Sequence, residues 1–477
     1  MKEKNQLYIN GKWCPASDGG TFPVLNPATE EVITNVASGT VDDAMSCLKA
    51  AQNSFPLWAS KSPRERGEIL RKAFELMTEQ LQVIANLITL ENGKGASDAI
   101  GEARYAAEFF RWYAEEAVRS EGHLGMAPST GARVLVHQKP AGIAVLVTPW
   151  NYPAAMGARK IGPALAAGCP VIIKPASETP LTMLALMPIL EKAGVPPGVV
   201  NVLPSRSSGS VVAAILKDRR TRVISFTGST EVGRQILHAA ADNVIKPAME
   251  LGGNAPFIVC EDANLEAAAD GLMVAKMRNL GEACTAANRI YVHENVELEF
   301  VERFVKKMAK LKMGNGSDAS IDVGPLVNAE TRDKVDYFVR DAVSKGAKIN
   351  LGGKKPEGKG FFYPPTVLTN VPDSADCLSD EIFGPVAAIQ TFSSEKEIIE
   401  RANNTEYGLV AYVYTTNLKR GMKISENLEF GMIGLNRGLV SDPSAPFGGV
   451  KQSGLGREGG KEGMLEFQET QYISTEW

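Results

Sequence analysis

Short β-branched runs that stop at Pro or Gly and hand over to helical patterns set the strongest constraint on this chain. AGIAVLVTP (141–149), PVIIKP (170–175), VVNVLP (199–204) and RVISFTG (222–228) each lead toward a helical segment. That alternation is the mark of parallel strands covered by helices, so the sequence predicts an α/β fold whose first sheet is doubly wound and of the nucleotide-binding kind. After residue 250 the pattern restarts. FIVC (257–260), RIYVH (289–293), VAAIQTF (386–392) and LVAYVYTT (409–416) alternate with helices near 264–280, 296–312 and 328–345, which predicts a second α/β domain. Residues 63–94 read as long helices, with Leu70, Ala73, Leu76, Met77 and Leu81 spaced for one buried face. Two strand-like pieces, GARVLVHQKPAG (131–142) and FQETQYIST (467–475), fall outside both series. Orphan strands of this sort often pair across a subunit interface.

Composition excludes several classes of function. With 51 Lys and Arg against 55 Asp and Glu, the net charge is -4, which exerts no general pull on nucleic acid or an anionic membrane surface. Any anion site must be local. Six cysteines without a CxxC and four scattered histidines without HExxH point to a reducing cytoplasm and to no catalytic metal. The amino terminus, MKEKNQLYING, lacks the apolar core of a signal peptide. The uncharged stretch 140–158 is broken by Pro140, Pro149 and Pro153, as suits a buried strand running into a loop and not a spanning helix.

Gly454, Gly456 and Gly459 formally match GxGxxG, but that fingerprint must open a helix inside a βαβ unit and only 18 residues follow Gly459. A turn role is expected there. SFTGSTEVG (225–233) is the better phosphate candidate, because a strand runs through Gly228 and Ser229 into a helix start, where backbone N–H groups and the positive dipole end favour an anion. An ordinary N-cap has the same appearance. Lys174, in KPASETP (174–180), stands at the carboxyl end of a strand, where it can meet ribose hydroxyls or simply be solvated. Cys284 joins a helical pattern to a strand through small residues, as an accessible nucleophile or as a small buried hydrophobe. Glu250 lies among apolar and Gly neighbours, where burial raises a carboxyl toward general-base duty unless a structural partner claims it. Asn151 follows the first sheet strand and can donate to an oxyanion or serve a turn between prolines. A thiol, a base, an oxyanion donor and a phosphate-binding helix start together suit oxidation of an aldehyde through a thioester.

TPWNYP, KPASETP, FTGSTEVG, MELGGNAP, the GEAC segment, EIFGPV (381–386) and PFGGVKQSGLGREGG (446–460) occur in the order found in the aldehyde dehydrogenase superfamily, which the chain resembles over essentially its whole length. The resemblance implies two doubly wound open-sheet domains and a β oligomerisation arm: 1–120 and 142–250 for the dinucleotide, 251–450 for catalysis, 121–141 and 451–477 for the arm. It implies Cys284 as nucleophile, Glu250 as the base for the deacylating water, and Asn151 with the Cys284 backbone N–H as the oxyanion hole. Lys174 and Glu381 would hold ribose hydroxyls and Gly228 with Ser229 the pyrophosphate, with Trp150, Ser177, Gly233, Leu251 and Phe383 completing the cofactor site. A Glu at 250 also sets the chain apart from the branch that passes its acyl group to coenzyme A.

Within the superfamily, the succinate-semialdehyde dehydrogenase branch is the most similar. Arg159 and Arg278 match its two carboxylate-gripping arginines and Ser441 its serine helper; a planar guanidinium binds a carboxylate bidentately, although either Arg would also serve a structural ion pair. Another ω-oxo acid, or an aliphatic or aromatic aldehyde, is the substrate if the arginines point elsewhere, and a non-catalytic binding protein on this scaffold is the reading from another class. Ser177 stands where strict NAD enzymes usually carry Glu, which favours NADP, or use of both NADP and NAD, against the neighbouring negative charge of Glu178. Ala286 takes the place of a second cysteine, so no disulfide lock on the nucleophile is expected. Glu282 stands where many relatives have Gln. The resemblance implies a cytoplasmic homodimer or homotetramer.

Overall fold

The four runs of the first series form the strands Ile143–Val147, Val171–Lys174, Val200–Val202 and Thr221–Thr227 in a computed structural model that describes residues 5–476. The first four residues of the amino-terminal segment and Trp477 at the end of the expected arm lie outside the described residues. Every residue of Ile143–Val147 is buried, as a parallel strand with both faces covered must be. This strand pairs in parallel with Val171–Lys174 on one side and Thr221–Thr227 on the other, and the latter pairs in parallel with Lys246–Glu250. Chain order therefore reverses beside Ile143–Val147. In a doubly wound sheet, the crevice beyond the carboxyl ends at such a reversal is where ligands bind. Antiparallel strands Leu7–Ile9 and Lys12–Cys14 extend one edge and Gly454–Leu455 the other, giving eight strands.

A second, seven-stranded sheet holds the later runs as Ala255–Val259, Ala287–His293, Val386–Phe392 and Val410–Tyr414, all parallel to their neighbours in this group. Helices Leu265–Met277, Glu297–Met308 and Ala329–Ser344 fall where the periodicity places them. The helical stretch 63–94 resolves into Pro63–Glu79 and Leu81–Asn92. The first starts at a Ser62 and Glu65 capping box with Pro at its first turn, and the second stops at Gly93, whose φ of 85° needs no Cβ.

Two placements differ from simple expectation. The orphan strands pair with each other inside this chain, Arg133–Pro140 running antiparallel to Gln468–Thr475, and His123–Met126 completes a three-stranded sheet. A strand lacking local partners finds its ladder wherever the chain returns, and here the carboxy-terminal end returns. Gly454–Leu455 does not join that sheet but pairs with Lys246–Glu250, setting Gly454 opposite Glu250. Gly454, Gly456 and Gly459 all have positive φ, from 70° to 147°, and open no helix of a βαβ unit. Among the described residues no helix is long and apolar enough to cross a membrane.

Candidate active site

Beyond the carboxyl ends of the first sheet's central strands lies a cavity of about 420 Å³. Trp150, Asn151, Arg159, Gly228, Ser229, Leu251, Arg278, Cys284, Glu381, Phe383 and Ser441 all line it, so residues spread over 291 positions of sequence meet on one surface (441 minus 150). Glu250, Lys174, Ser177 and Gly233 do not line it; they stand behind residues that do.

Cys284 follows the helix Leu265–Met277 through an unusual turn, in which Asn279, Leu280 and Gly281 take φ of 51°, 55° and 75°. The turn is enforced by close backbone approach: a Cβ on Gly253 would meet the Cys284 carbonyl at 2.4 Å, and one on Gly281 would meet the Gly384 carbonyl at 2.4 Å. Half-buried, the thiol is pushed up by desolvation and by the Glu250 and Glu381 charges, while Arg159 and Arg278 pull the other way. The resting group is thus the protonated thiol, and reaction requires somewhere for its proton to go.

Glu250 ends its strand with the carboxyl buried and Oε1 without a hydrogen-bond partner. Desolvation and the Glu458 charge push it above the ordinary carboxylate range, against the pull of Arg159 and Lys160. A structural, paired acid would have its oxygens satisfied; this one does not. Asn151 is buried, and its Nδ2 donates to the Glu282 carbonyl at 2.9 Å, while its own carbonyl accepts from Lys94 at 2.9 Å and from the Asn279 amide at 3.0 Å. An amide nitrogen carries two N–H groups, so one remains for an oxyanion.

The two arginines differ. Arg159 pairs with Glu458, which also accepts from Lys160, and its guanidinium lies 4.2 Å from the Phe447 ring centroid, with Nη2 on the Met156 sulfur at 3.2 Å. The ion-pair alternative weighed for this residue is therefore realised, alongside its place on the cavity wall. Arg278 makes no ion pair with any described residue and stands 5.5 Å from the Tyr152 ring centroid.

The groups that would hold a dinucleotide fit that role. Gly228 and Ser229 reach the cavity at the start of the helix Thr230–Ala241, with Ser229 Oγ capping Val232 N–H at 3.3 Å. Thr227 Oγ1, also in the cavity wall, is buried and has no partner. Gly233, one turn on, packs against the end of the Leu251 side chain, which a Cβ there would meet at 2.4 Å. Lys174 is buried at its strand end and pushed down to about 8 by desolvation, against the Glu178 charge. Glu381 accepts from Gly253 N–H at 3.3 Å and is pushed up to about 7 by burial. Trp150 and Phe383 meet edge to face, 5.3 Å between centroids. Ser177 Oγ lies 3.2 Å from the Glu178 carboxylate that lines the cavity, so its hydroxyl is already engaged.

Sequence reasoning missed the charges behind the site. Lys160 and Glu458 escaped notice, although Arg159 and Lys160 sit in AMGARKIGPALAA, a helix with every residue buried; two cations inside such a helix demand an acid from elsewhere. Lys94, bonded to Glu102 and to the Asn151 carbonyl, and the helix Ala329–Ser344, whose Glu330, Thr331 and Lys334 wall the cavity, carried no such signal.

Known proteins resemble this chain nearly end to end. Succinate-semialdehyde dehydrogenase of Paenarthrobacter nicotinovorans is 49% identical over 442 residues, 93% of this chain and 98% of that protein. Glutarate-semialdehyde dehydrogenase of Pseudomonas aeruginosa is 44% identical over 470 residues, 98% of this chain and 97% of that protein. The crystal structure described as an E. coli NADP dependent enzyme superposes with a TM-score of 0.97 at 43% identity, covering 98% of each chain. The sequence model of the aldehyde dehydrogenase family matches residues 13–473. Because that match takes in all but the amino-terminal edge of the first sheet, the whole second sheet and nearly all of the three-stranded sheet, this chain belongs to the aldehyde dehydrogenase family.

Proposed function

We propose that the enzyme oxidises succinic semialdehyde to succinate, with NADP or NAD as the oxidant and Cys284 as the nucleophile. One observation carries the choice of substrate: Arg278 presents an unpaired guanidinium to the cavity that holds the nucleophile. A partly desolvated cation without a counter-ion is unfavourable until an anion arrives, and a planar guanidinium receives a carboxylate through two parallel hydrogen bonds. Arg159 adds positive charge from the next wall, with Glu458 holding its Nε side. Ser441 supplies a hydroxyl to the same cavity.

In the first step the Cys284 sulfur bonds to the aldehyde carbon and its proton passes to Glu250, whose raised affinity suits it to receive one. The free Asn151 N–H and the Cys284 backbone N–H stabilise the oxyanion, each such donor being worth about 3 kcal/mol. A nicotinamide dinucleotide held by Lys174, Glu381, Gly228 and Ser229 would supply the hydride acceptor, and loss of hydride from that carbon would leave a thioester on Cys284. Glu250 sheds the thiol's proton to solvent and then takes one from water as the hydroxide adds to the thioester carbon; the carbon–sulfur bond breaks, and Glu250 returns that proton to the departing sulfur, giving the acid and the regenerated thiol. Buried between Lys160 and Arg159, Glu458 keeps Glu250 from becoming a permanent anion.

NADP is the first choice of cofactor and NAD the second. Ser177 carries no charge to repel a 2′-phosphate, and its engagement with Glu178 narrows the preference without reversing it. The exposed Leu124, Met126, Tyr472 and Ile473 of the three-stranded sheet support a homodimer or homotetramer, and the reduced cysteines a cytoplasmic enzyme.

Nicotinamide reduction by the purified protein tests this directly, with succinic semialdehyde, glutaric semialdehyde, an aliphatic aldehyde and benzaldehyde, each with NADP and NAD. The highest kcat/KM is expected for succinic semialdehyde. A clear preference for glutaric semialdehyde would instead move the substrate to the longer ω-oxo acid of the Pseudomonas relative, and equal rates on neutral aldehydes would overturn the carboxylate reading.

A further inference from the structure

Two residues before the nucleophile, Glu282 takes no part in the steps above, yet its side chain is wholly buried. Its backbone carbonyl accepts the Asn151 amide at 2.9 Å and the Asn279 amide at 3.0 Å. Its carboxyl Oε1 accepts the Val327 N–H at 3.1 Å, and Oε2 is buried with no partner. Val327 directly precedes Asn328, which caps the helix Ala329–Ser344 by accepting from Thr331 N–H at 2.8 Å. Asn328 and the first turns of that helix wall the cavity. Glu282 thus ties the nucleophile's turn to the wall that faces it. The turn needs a tie, because three successive left-handed residues, one of them Leu280, hold stored strain that the surroundings must maintain.

Charge decides which form of the carboxyl can serve. Lys94 is the cation whose field reaches it, and that ammonium is already bonded to Glu102 and to the Asn151 carbonyl. Asp98, on the same helix as Glu102, accepts the Asn279 N–H at 2.8 Å, and Cys284 is the titratable group on the turn itself. A carboxylate here would be buried without a counter-ion of its own, whereas a protonated acid would leave only one oxygen short of a partner. We propose that Glu282 is a positioning residue that works uncharged, pegging the Cys284 turn to the Val327 backbone and so keeping the Asn151 amide aimed at the reacting carbonyl. Burial supports this form, pushing the carboxyl up to about 8 against the pull of Val327 N–H and Lys94. The inference rests on the roles proposed for Cys284 and Asn151.

Glu282→Gln keeps the shape, the acceptor and the neutrality; Glu282→Ala removes the peg. The experiment measures kcat of wild type and both variants from about pH 6 to about pH 10 at saturating aldehyde and cofactor, with thermal melts to check folding. Dividing the Gln variant's kcat by that of the wild type cancels every ionisation the two share. That ratio is expected to stay within about twofold at neutral pH and to rise about fivefold or more by pH 9, as the wild type alone loses its neutral acid. The Ala variant is expected to lose about tenfold or more in kcat at neutral pH, with the gap to wild type narrowing toward about pH 9 and above, while cofactor binding, read by fluorescence titration, stays unchanged. A ratio that remains flat to the alkaline end, or an Ala variant with wild-type kcat, would overturn the proposal. Turnover retained by Cys284→Ala would overturn the underlying mechanism instead, and with it this role.

Discussion

Arg278 and Glu250 make the most exposed claims at the scale of single residues. Removing the unpaired guanidinium by Arg278→Ala is expected to raise KM for succinic semialdehyde about 10- to 100-fold, the worth of two charge-assisted hydrogen bonds, and to leave KM for a neutral aldehyde within about threefold. Steady-state kinetics on both substrates provide the check. Glu250→Gln is expected to lower turnover about 100-fold or more without a rapid burst of reduced nicotinamide, because the thiol loses its proton acceptor as well as the water its base; stopped-flow absorbance would show it. The pH dependence follows from the direction in which Glu250 is displaced. A base held above the ordinary carboxylate range is lost as pH falls through that raised value, so deacylation should fade on the neutral side of the usual Glu titration and not only near pH 4.5. Arg159 was legible from its place in the motif order, whereas Lys160 beside it went unread although a cation in so apolar a helix calls for an acid, and Glu458, 298 positions beyond Lys160, was not legible, since nothing local in GREGG announces a buried partner.

Elements explain why these groups meet. The parallel strands were legible because a strand covered on both faces must be apolar throughout, and Ile143–Val147 is apolar at every position. One helix start was legible from its capping residue, Ser229, whereas the Asn328 cap went unread. Pairing between distant segments was not, because an antiparallel ladder such as Arg133–Pro140 with Gln468–Thr475 is written in no local period that specifies its partner. The tight turn around the nucleophile offers an element-scale test. Gly253→Ala would drive a methyl group to 2.4 Å from the Cys284 carbonyl, a backbone atom that can yield only by moving the nucleophile. Gly233→Ala meets the far end of the Leu251 side chain at the same distance, where a rotamer change relieves it. Activity is therefore expected to fall about 100-fold or more in the first and by less than about tenfold in the second, with melting temperatures reporting whether folding accounts for either.

Across the whole molecule, the stretch from Gly454 to Thr475 does three things in order. It lies against the strand of Glu250, contributes Glu458 to the cations of the helix Ala155–Ala167, and ends as the outer strand of the three-stranded sheet. Lys246, at the start of the Glu250 strand, donates to the Leu465 and Gln468 carbonyls at 2.7 and 3.0 Å, so that strand is fastened to the stretch at both ends. Deleting residues 468–477 is expected to lower the assembly state in light scattering, with the Glu250 strand loosened at its Lys246 end. In the proposed assembly, subunit contact and the proposed proton transfer would thus be wired in series along one short span of chain. Dilution that separates the proposed subunits is therefore expected to alter the pH profile of the enzyme before it weakens the hold on cofactor, whose proposed contacts lie at the other end of the same strand and on its neighbours.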